Sequence, residues 1–330
     1  MPRTYLISLL LLILFATSTL AQGGYAGSVL RRADSPAEAS MSGALNILSG
    51  GASILFGNPA ALVRLEQPSV AFAWSFLGPP QKSFQTALGT NIGEYAGVGI
   101  GVTGYRVNDI DQRTIAEQSL GLTNSQDLAV TLGGGLGIGP GSVGGSLRYL
   151  RYDLNGVDGG SWGVALDLSG MILFRERFAI GFSINNIAGT MNASYRDGLH
   201  ERIPTEVRFT SSYIHPFEAR TATERTDPTG TLQQQRLRPR TYILATGEIR
   251  IGEFDDEPTA GIAIEAVPLH IAPEGAIGFR AGADTRGDIS FGFFLETPLD
   301  IGDNPRLSFA ARREYERGEI TLHTGLDVEL

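Results

Sequence analysis

The chain of 330 residues contains no cysteine. This absence excludes a disulfide framework, a zinc site built on thiolates and a cysteine nucleophile. It also excludes a lipoprotein anchor, which requires a cysteine after the signal peptide. Basic residues are scarce as well, because 26 Lys and Arg stand against 35 Asp and Glu, for a formal net charge of −9. Such a chain lacks the basic surface that nucleic-acid binding requires, so we exclude nucleic acid as a partner.

Long apolar runs are also missing, except at the N-terminus. There Arg3 precedes the apolar residues 6–15, and Thr19 and Ala21 occupy positions that a signal peptidase recognises. A helix that spans a bilayer needs about 20 apolar residues, which argues against an uncleaved anchor. Residues 1–21 are therefore predicted to be a cleaved secretory signal peptide. If the mature protein enters a membrane, it must do so with strands.

Glycine is abundant, at 43 residues, and the chain is 42% hydrophobic and only 18% charged. The mean hydropathy of +0.01 is too polar for a helical membrane protein and too apolar for a glycine-rich disordered chain. From residue 67 onward apolar residues recur with a period of two, which is typical of strands. Phe178, Ile180, Phe182 and Ile184, for example, alternate with small or polar residues.

Alternating runs of this kind predict fourteen strands. Their ranges are 67–77, 81–93, 95–106, 126–138, 141–153, 161–174, 177–187, 205–215, 239–252, 257–268, 273–285, 287–297, 305–313 and 319–330. Strands of a bacterial outer-membrane barrel are even in number and need about 9–11 residues each. The fold class predicted for residues 67–330 is therefore all-β, a transmembrane antiparallel β-barrel of about 14 strands.

Alternation alone also fits a soluble β-sandwich or propeller, because these folds bury one face of each strand. The charges favour the barrel, since those inside strands lie on the side opposite the apolar row. A solvated sheet face would carry several lysines, whereas here Lys82 stands at the start of a strand. We expect the inward charges to pair across a polar lumen, where they either stabilise the barrel or line a route through it: Arg148, Asp167, Arg208, Glu265, Arg280, Glu296, Arg312 and Asp327.

The predicted loops alternate in length, as short periplasmic turns and longer external loops do in outer-membrane barrels. Residues 107–125 and 188–204 are predicted to be long external loops. Residues 216–238 break the rule, because this long polar segment falls on the periplasmic side. We interpret it as a loop or a partner-binding segment.

Residues 22–66 differ from the rest of the chain. They are rich in Ala, Gly and Ser without strict alternation, and they predict a short helix, a glycine turn and a second short helix. Asn58 and Pro59 are suited to the N-cap and first position of that second helix. Placed before a barrel, this segment is predicted to fold into the lumen as a plug, with Asn58, Pro59 and Ala60 as its central motif.

Several motifs resemble a known family. Residues 41–44 (Met-Ser-Gly-Ala) and 56–62 (Phe-Gly-Asn-Pro-Ala-Ala-Leu) resemble the Met-Gly-Gly-Ala and Trp-Asn-Pro-Ala-Gly-Leu segments of the PorV/PorQ proteins, which belong to the FadL-like group of outer-membrane barrels. Residues 146–150, 184–187 and 203–208 follow the order and spacing of the same family. The resemblance extends over most of residues 37–330.

The resemblance implies a barrel without catalytic activity in the outer membrane of a Gram-negative-type bacterium. It would contact outer-membrane lipid and act with secretion-system components or exported proteins, or in surface attachment. The alternative is a FadL-like channel for the uptake of hydrophobic small molecules, gated by the plug. That alternative requires an apolar pocket beneath the external loops.

Motifs for other chemistry are weak. The pattern Gly-x-Gly-x-x-Gly occurs at residues 99–104 and 139–144, but both copies lead into strands rather than into the helix that a dinucleotide site requires. The four histidines lack metal-ligand spacing, and no serine lies in a Gly-x-Ser-x-Gly elbow. His323 alone could belong to a hydrolytic triad. We therefore expect no enzyme, no metal site and no cofactor.

Overall fold

The computed structural model describes residues 27–32, 35–45, 47–48, 51–93, 95–113, 117–154, 160–175, 177–193, 199–217, 225–226, 232–233, 241–253, 257–272, 275–297, 303–315 and 318–330. The predicted signal peptide, residues 1–21, lies outside the described residues. So does most of the polar segment 216–238.

Strands account for most of the described chain. They are β1 (Ser69–Phe76), β2 (Gln81–Ile92), β3 (Ala96–Arg113), β4 (Ser119–Ile138), β5 (Gly141–Leu154), β6 (Ser161–Phe174), β7 (Phe178–Ala193), β8 (Leu199–Arg202), β9 (Glu206–Pro216), β10 (Arg225–Thr226), β11 (Leu232–Gln233), β12 (Tyr242–Gly252), β13 (Thr259–Ala272), β14 (Gly275–Asp284), β15 (Ile289–Glu296), β16 (Asp303–Glu314) and β17 (Glu319–Glu329).

Fourteen of these strands form one closed antiparallel barrel. Each pairs with its neighbours in chain order, apart from the short β8, β10 and β11, and β1 pairs with β17 to close the sheet. Strand β8 extends the edge of β7, and β10 pairs with β11. The prediction of a barrel of about 14 strands is confirmed. Ser69 and Glu329 are register partners at one end of the barrel, which we call the terminal end; the opposite end is the loop end.

Two predicted external loops are wrong in extent. Much of 107–125 is strand, because β3 and β4 resume pairing after a register shift that follows Val107. Asp109 adopts a positive φ of 54° within this shift. Likewise β7 continues to Ala193 and pairs with β8 inside the predicted loop 188–204. In both places backbone hydrogen bonding continues beyond the alternating apolar positions, which were the signal used to end the strands.

The outward face of the barrel is apolar. Large hydrophobic side chains at alternate strand positions remain exposed, including Phe72 (47%), Leu132 (60%) and Ile262 (72%). The intervening inward positions carry small or polar residues such as Ala129 and Thr131, which are fully buried. An outward apolar band of this kind is suited to lipid, as in transmembrane barrels. Within the described ranges, no helix is long and apolar enough to cross a membrane.

The described residues before β1 lie inside the barrel. They include α1 (Val29–Arg32), α2 (Pro36–Ala39) and two 3-10 helices, Ala52–Phe56 and Pro59–Arg64. Helix α2 begins with a capping box in which Ser35 and Glu38 bind each other's backbone amides.

The second predicted helix begins at Pro59 as expected, but it is a 3-10 helix. Asn58 occupies its N-cap position as predicted, although its side chain makes no capping hydrogen bond. The amide nitrogen of that side chain instead lies close to Gly181 on the barrel wall.

Glycines on β3, β4 and β5 let the second 3-10 helix approach the wall. A Cβ atom at Gly97 would lie 2.3 Å from the carbonyl carbon of Leu62, and one at Gly144 would lie 2.4 Å from the nitrogen of Ala60. Side chains at these two positions would therefore collide with backbone, which cannot move aside as a flexible side chain can. We call the wall formed by β2 to β7 the glycine wall.

A substitution at Gly97 should displace the 3-10 helix from the glycine wall. Because the chain has no cysteine, a single thiol introduced by Leu62→Cys can report the displacement. Leu62 is fully buried in the folded barrel. We expect a membrane-impermeant maleimide to label this thiol slowly alone and much faster when Gly97→Val is added.

The matched control is Gly170→Val on the outward face, where a Cβ would lie 3.6 Å from its nearest neighbour, the Ser142 carbonyl oxygen. Heat-modifiable migration in detergent gels verifies that each barrel is closed. Equal labelling of the Gly97 and Gly170 variants would contradict the packing described above.

Candidate functional site

The predicted plug motif lies on β5 and β6 of the glycine wall. The backbone nitrogen of Ala60 donates a hydrogen bond to Ser169 Oγ (2.9 Å), and Ser142 Oγ donates one to the Ala60 carbonyl oxygen (2.7 Å). Pro59 is buried beside Ala60, and Asn58 is only 1% exposed. The motif is thus held by two wall serines and by close contact with glycines.

Arg148 and Asp167 form a buried ion pair next to this motif. Arg148 Nε lies 2.6 Å from Asp167 Oδ2, and its Nη2 donates to the carbonyl oxygen of Phe56 (2.6 Å). Asp167 also accepts hydrogen bonds from the backbone nitrogen of Asn186 (2.8 Å) and from Ser146 Oγ. The pair therefore connects β5, β6 and β7 to the last residue of the first 3-10 helix.

A second buried ion pair lies on the opposite side of the barrel. Arg280 Nε lies 2.6 Å from Glu265 Oε2, and Tyr242 donates its hydroxyl hydrogen to the same carboxylate. Both charged side chains are almost fully buried. Because the Glu265 carboxylate accepts one hydrogen bond from Tyr242 and another from the cationic Arg280, its charge is well compensated away from water.

Phe294 is fully buried between two arginines. The guanidinium carbon of Arg280 lies 4.4 Å from the ring centroid, and that of Arg306 lies 4.2 Å from it, which is cation–π geometry. Arg306 also pairs with Glu296, with Nε 2.9 Å from Oε1. Gly278 leaves space for the ring, because a Cβ there would lie 2.1 Å from Phe294 Cζ.

A third group of charges contacts the N-terminal segment. Glu248 Oε2 accepts hydrogen bonds from the Leu45 backbone nitrogen and from Thr210 Oγ1, both at 3.0 Å. Arg250 Nη2 donates to the Ser42 carbonyl oxygen (3.1 Å). Arg208 Nε lies 2.5 Å from Glu206 Oε1, and Arg208 Nη1 lies 3.9 Å from Glu248 Oε1. Polar contacts thus dominate this part of the wall.

The remaining predicted charges lie near β15, β16 and β17. Arg312 Nη2 lies 2.6 Å from Asp288 Oδ2 and 3.8 Å from Asp284 Oδ2. Asp327 lies beside Gly51, where a Cβ would be 3.5 Å from its Oδ1. The N-terminal segment contacts this part of the wall through Ser42, whose Oγ lies 2.9 Å from Ser290 Oγ. We call the wall formed by β9 and β12 to β17 the charged wall.

The eight predicted lumen charges all lie on the inward side, but they form separate clusters rather than one network. Sequence reasoning missed several of their partners: Glu206, Glu248, Arg250, Asp288 and Arg306. The same strand parity could have found all five, since each lies at an inward position of a predicted strand.

Apolar side chains line one side of the loop-end half of the lumen, along β3 to β7. The loop-end cluster consists of Val29, Leu77, Tyr105, Ala129, Leu150, Ala165, Met191 and Ile203. Val29 comes from α1, so the N-terminal segment covers this cluster from inside. Gly27 fits against Ile203, because a Cβ there would lie 3.1 Å from Ile203 Cγ2.

Other candidate residues take part in hydrogen bonds within the barrel. His323 is buried, with Nδ1 2.7 Å from Ser75 Oγ and Nε2 2.9 Å from Thr321 Oγ1. Gly99 and Gly101 line the lumen against the two 3-10 helices, and Gly139 is a turn residue with φ 58°. In the part of the chain that the structure describes, no three potential ligands are grouped for a metal ion.

Loss of Arg148 should destabilise the barrel strongly. Arg148→Met leaves the Asp167 carboxylate buried without its cation, which costs about 3–5 kcal/mol of the free energy of unfolding. Urea titration followed by heat-modifiable migration measures this loss. The matched control is Arg151→Met on the same strand, whose ion pair with Asp153 is exposed and contributes less than about 1 kcal/mol. Similar losses in both variants would contradict a structural role for the buried pair.

Comparison with solved structures finds closed barrels of similar fold and low sequence identity. No protein-family model and no curated protein sequence matches the chain. Among solved structures, the toluene transporter TodX of Pseudomonas putida is 10% identical, with a TM-score of 0.57, over 90% of this chain and 99% of that one.

Two further solved structures are similar in fold. The CymD monoaromatic hydrocarbon channel is 12% identical with a TM-score of 0.57, over 90% of this chain and 97% of that one. A Pseudomonas aeruginosa FadL homologue is 9% identical with a TM-score of 0.55, over 89% and 97%. Identity this low shows a shared fold alone. It supports the FadL-like part of the resemblance found in the sequence, and it leaves the PorV/PorQ part to the sequence motifs.

Proposed function

We propose that this protein is a non-enzymatic outer-membrane channel for the uptake of hydrophobic small molecules. The observation that carries the proposal is the loop-end cluster, which provides the apolar environment beneath the loops that such a channel requires. Apolar molecules gain about 25 cal/mol for each Å² that leaves water.

The N-terminal segment occupies the route through the barrel, so uptake requires part of it to move. Both walls hold it through glycines and through hydrogen bonds. A Cβ at Gly97 would lie 2.3 Å from the Leu62 carbonyl carbon on the glycine wall, and one at Gly282 would lie 2.5 Å from the Met41 carbonyl carbon on the charged wall. The charged wall also binds the Ser42 and Leu45 backbone nitrogens. In this proposal residues 35–45 are the part that moves aside.

The solved structures of similar fold are named as a toluene transporter, a monoaromatic hydrocarbon channel and a FadL homologue. These names favour the channel over the secretion partner that the PorV/PorQ resemblance implies. They also favour an outer-membrane location, in keeping with the predicted signal peptide and the apolar outer face.

A disulfide that fixes residues 35–45 to the charged wall should abolish uptake reversibly. Ser42 Oγ and Ser290 Oγ are 2.9 Å apart, so the double variant Ser42→Cys, Ser290→Cys places two sulfurs within bonding reach in a chain that has no other cysteine. We expect liposomes containing this variant to take up radiolabelled toluene or oleate after reduction, and to lose that uptake after oxidation.

The matched control joins two wall strands that are already paired. Ser212 Oγ and Thr246 Oγ1 lie 3.2 Å apart on β9 and β12, so Ser212→Cys, Thr246→Cys forms a disulfide that leaves the N-terminal segment free. Uptake no greater than in empty liposomes for the unmodified protein would overturn the proposed function. Equal uptake by the oxidised and reduced Ser42, Ser290 variant would show that residues 35–45 do not have to move.

A further inference from the structure

The outward face of the barrel carries a groove that the lumen does not explain. It has a volume of about 520 Å³ and crosses β14 to β17 and β1. Bulky exposed side chains surround it: Phe76, Phe279, Phe291, Phe293, Phe309 and Leu322. The groove is deep because small residues occupy two outward positions among these bulky side chains, Ala311 on β16 and Thr324 on β17. The groove therefore interrupts an otherwise bulky apolar surface.

The groove continues into a pair of cations along one cross-strand row. Ala311, Leu322 and Phe76 are successive register partners in that row. The next two partners are Lys82, on β2, and Arg106, on β3. Lys82 Nζ lies 5.8 Å from the centre of the Phe76 ring, over its face. A cationic position therefore adjoins the apolar groove directly.

Lys82 and Arg106 are like charges placed directly opposite each other on neighbouring strands, an arrangement that destabilises a sheet. Both side chains are exposed on the outward face. Among the residues that the structure describes, no acidic side chain forms an ion pair with either cation. The carboxylate along the same row belongs to Asp153, two strands beyond Arg106, and Arg151 already binds it at 2.9 Å. An anion from outside the chain would relieve the repulsion.

A third cation lies at the other side of the groove. Arg313 is exposed and two residues beyond Ala311 on β16, so it follows Ala311 on the outward face toward the loop end. Lys82 is likewise near the loop end, because β2 begins at Gln81. All three cations therefore lie where the apolar face meets water, and the aromatic rings extend from them toward the middle of the barrel. This is the arrangement of a lipid, with a charged headgroup above an acyl chain.

We propose that this surface binds a phosphorylated membrane lipid. One acyl chain lies in the aromatic groove over Ala311 and Thr324, and the phosphate lies between Lys82 and Arg106, with Arg313 at the opposite rim. Guanidinium and ammonium groups both bind phosphate oxygens through charge-assisted hydrogen bonds. The site is separate from the lumen and is independent of the proposed transport.

Native mass spectrometry of the full chain in detergent tests the site, with phosphatidylglycerol, diacylglycerol of the same acyl chains and inorganic phosphate as probes. Lipid A, which is also phosphorylated, is measured in parallel. We expect phosphatidylglycerol or lipid A to bind, and diacylglycerol and phosphate alone to bind weakly. The double variant Lys82→Gln, Arg106→Gln should weaken lipid binding about tenfold or more, since two charged contacts are lost.

The matched control is Arg175→Gln, Arg177→Gln, which removes the same charge from exposed positions beyond β6 at the terminal end. A third variant, Ala311→Phe, fills the floor of the groove and should weaken binding while leaving the cations in place. Heat-modifiable migration verifies the fold of each variant.

Three outcomes would overturn the proposal. The first is that the Lys82→Gln, Arg106→Gln variant binds lipid as well as the control does. The second is that diacylglycerol binds as well as phosphatidylglycerol, and the third is that Ala311→Phe leaves lipid binding unchanged. Liposome uptake should be unchanged in all of these variants, so a failure here is distinguishable from a failure of the proposed channel function.

Discussion

Closure of the sheet is the constraint on which the rest of this structure depends. In hydrocarbon no water is available to the backbone, so every strand must pair on both edges. Pairing of Ser69–Phe76 with β17 removes the last free edges. The closed sheet then separates two environments, and each strand must serve both at once. Large apolar side chains face outward, and small or polar ones face a confined interior.

The interior imposes a second requirement, because charges that face inward need partners or water. Both walls meet it with ion pairs and hydrogen bonds. On the glycine wall a buried ion pair, Arg148 and Asp167, holds the carbonyl of Phe56. On the charged wall, ion pairs and serines bind residues 42–45. Glycines on both walls, such as Gly144 and Gly282, let the backbone of the N-terminal segment approach closely.

The barrel could be predicted well from the sequence because its physical cause is local. A strand between lipid and lumen must alternate, and alternation is visible in a run such as Phe178 to Ile184. Strand ends were harder to predict, since β3 and β7 continue as paired hairpins where the apolar signal stops. Charged residues could be assigned to the lumen by parity, yet the pairs that they form could not. Arg312 pairs with Asp288 because closure of the sheet brings β16 beside the start of β15.

The sequence by itself therefore determined the alternating strands, their number and the side of the sheet on which each charge lies, because these follow from neighbouring residues along the chain. Tertiary structure alone decided the contacts between distant residues. Strand register and closure of the sheet decide three such contacts: the packing of Ala60 against Gly144, the contact of Ser42 with Ser290 and the row of register partners from Ala311 to Arg106. These are properties of the sheet as a whole, since a shift of one residue would turn each side chain to the other face.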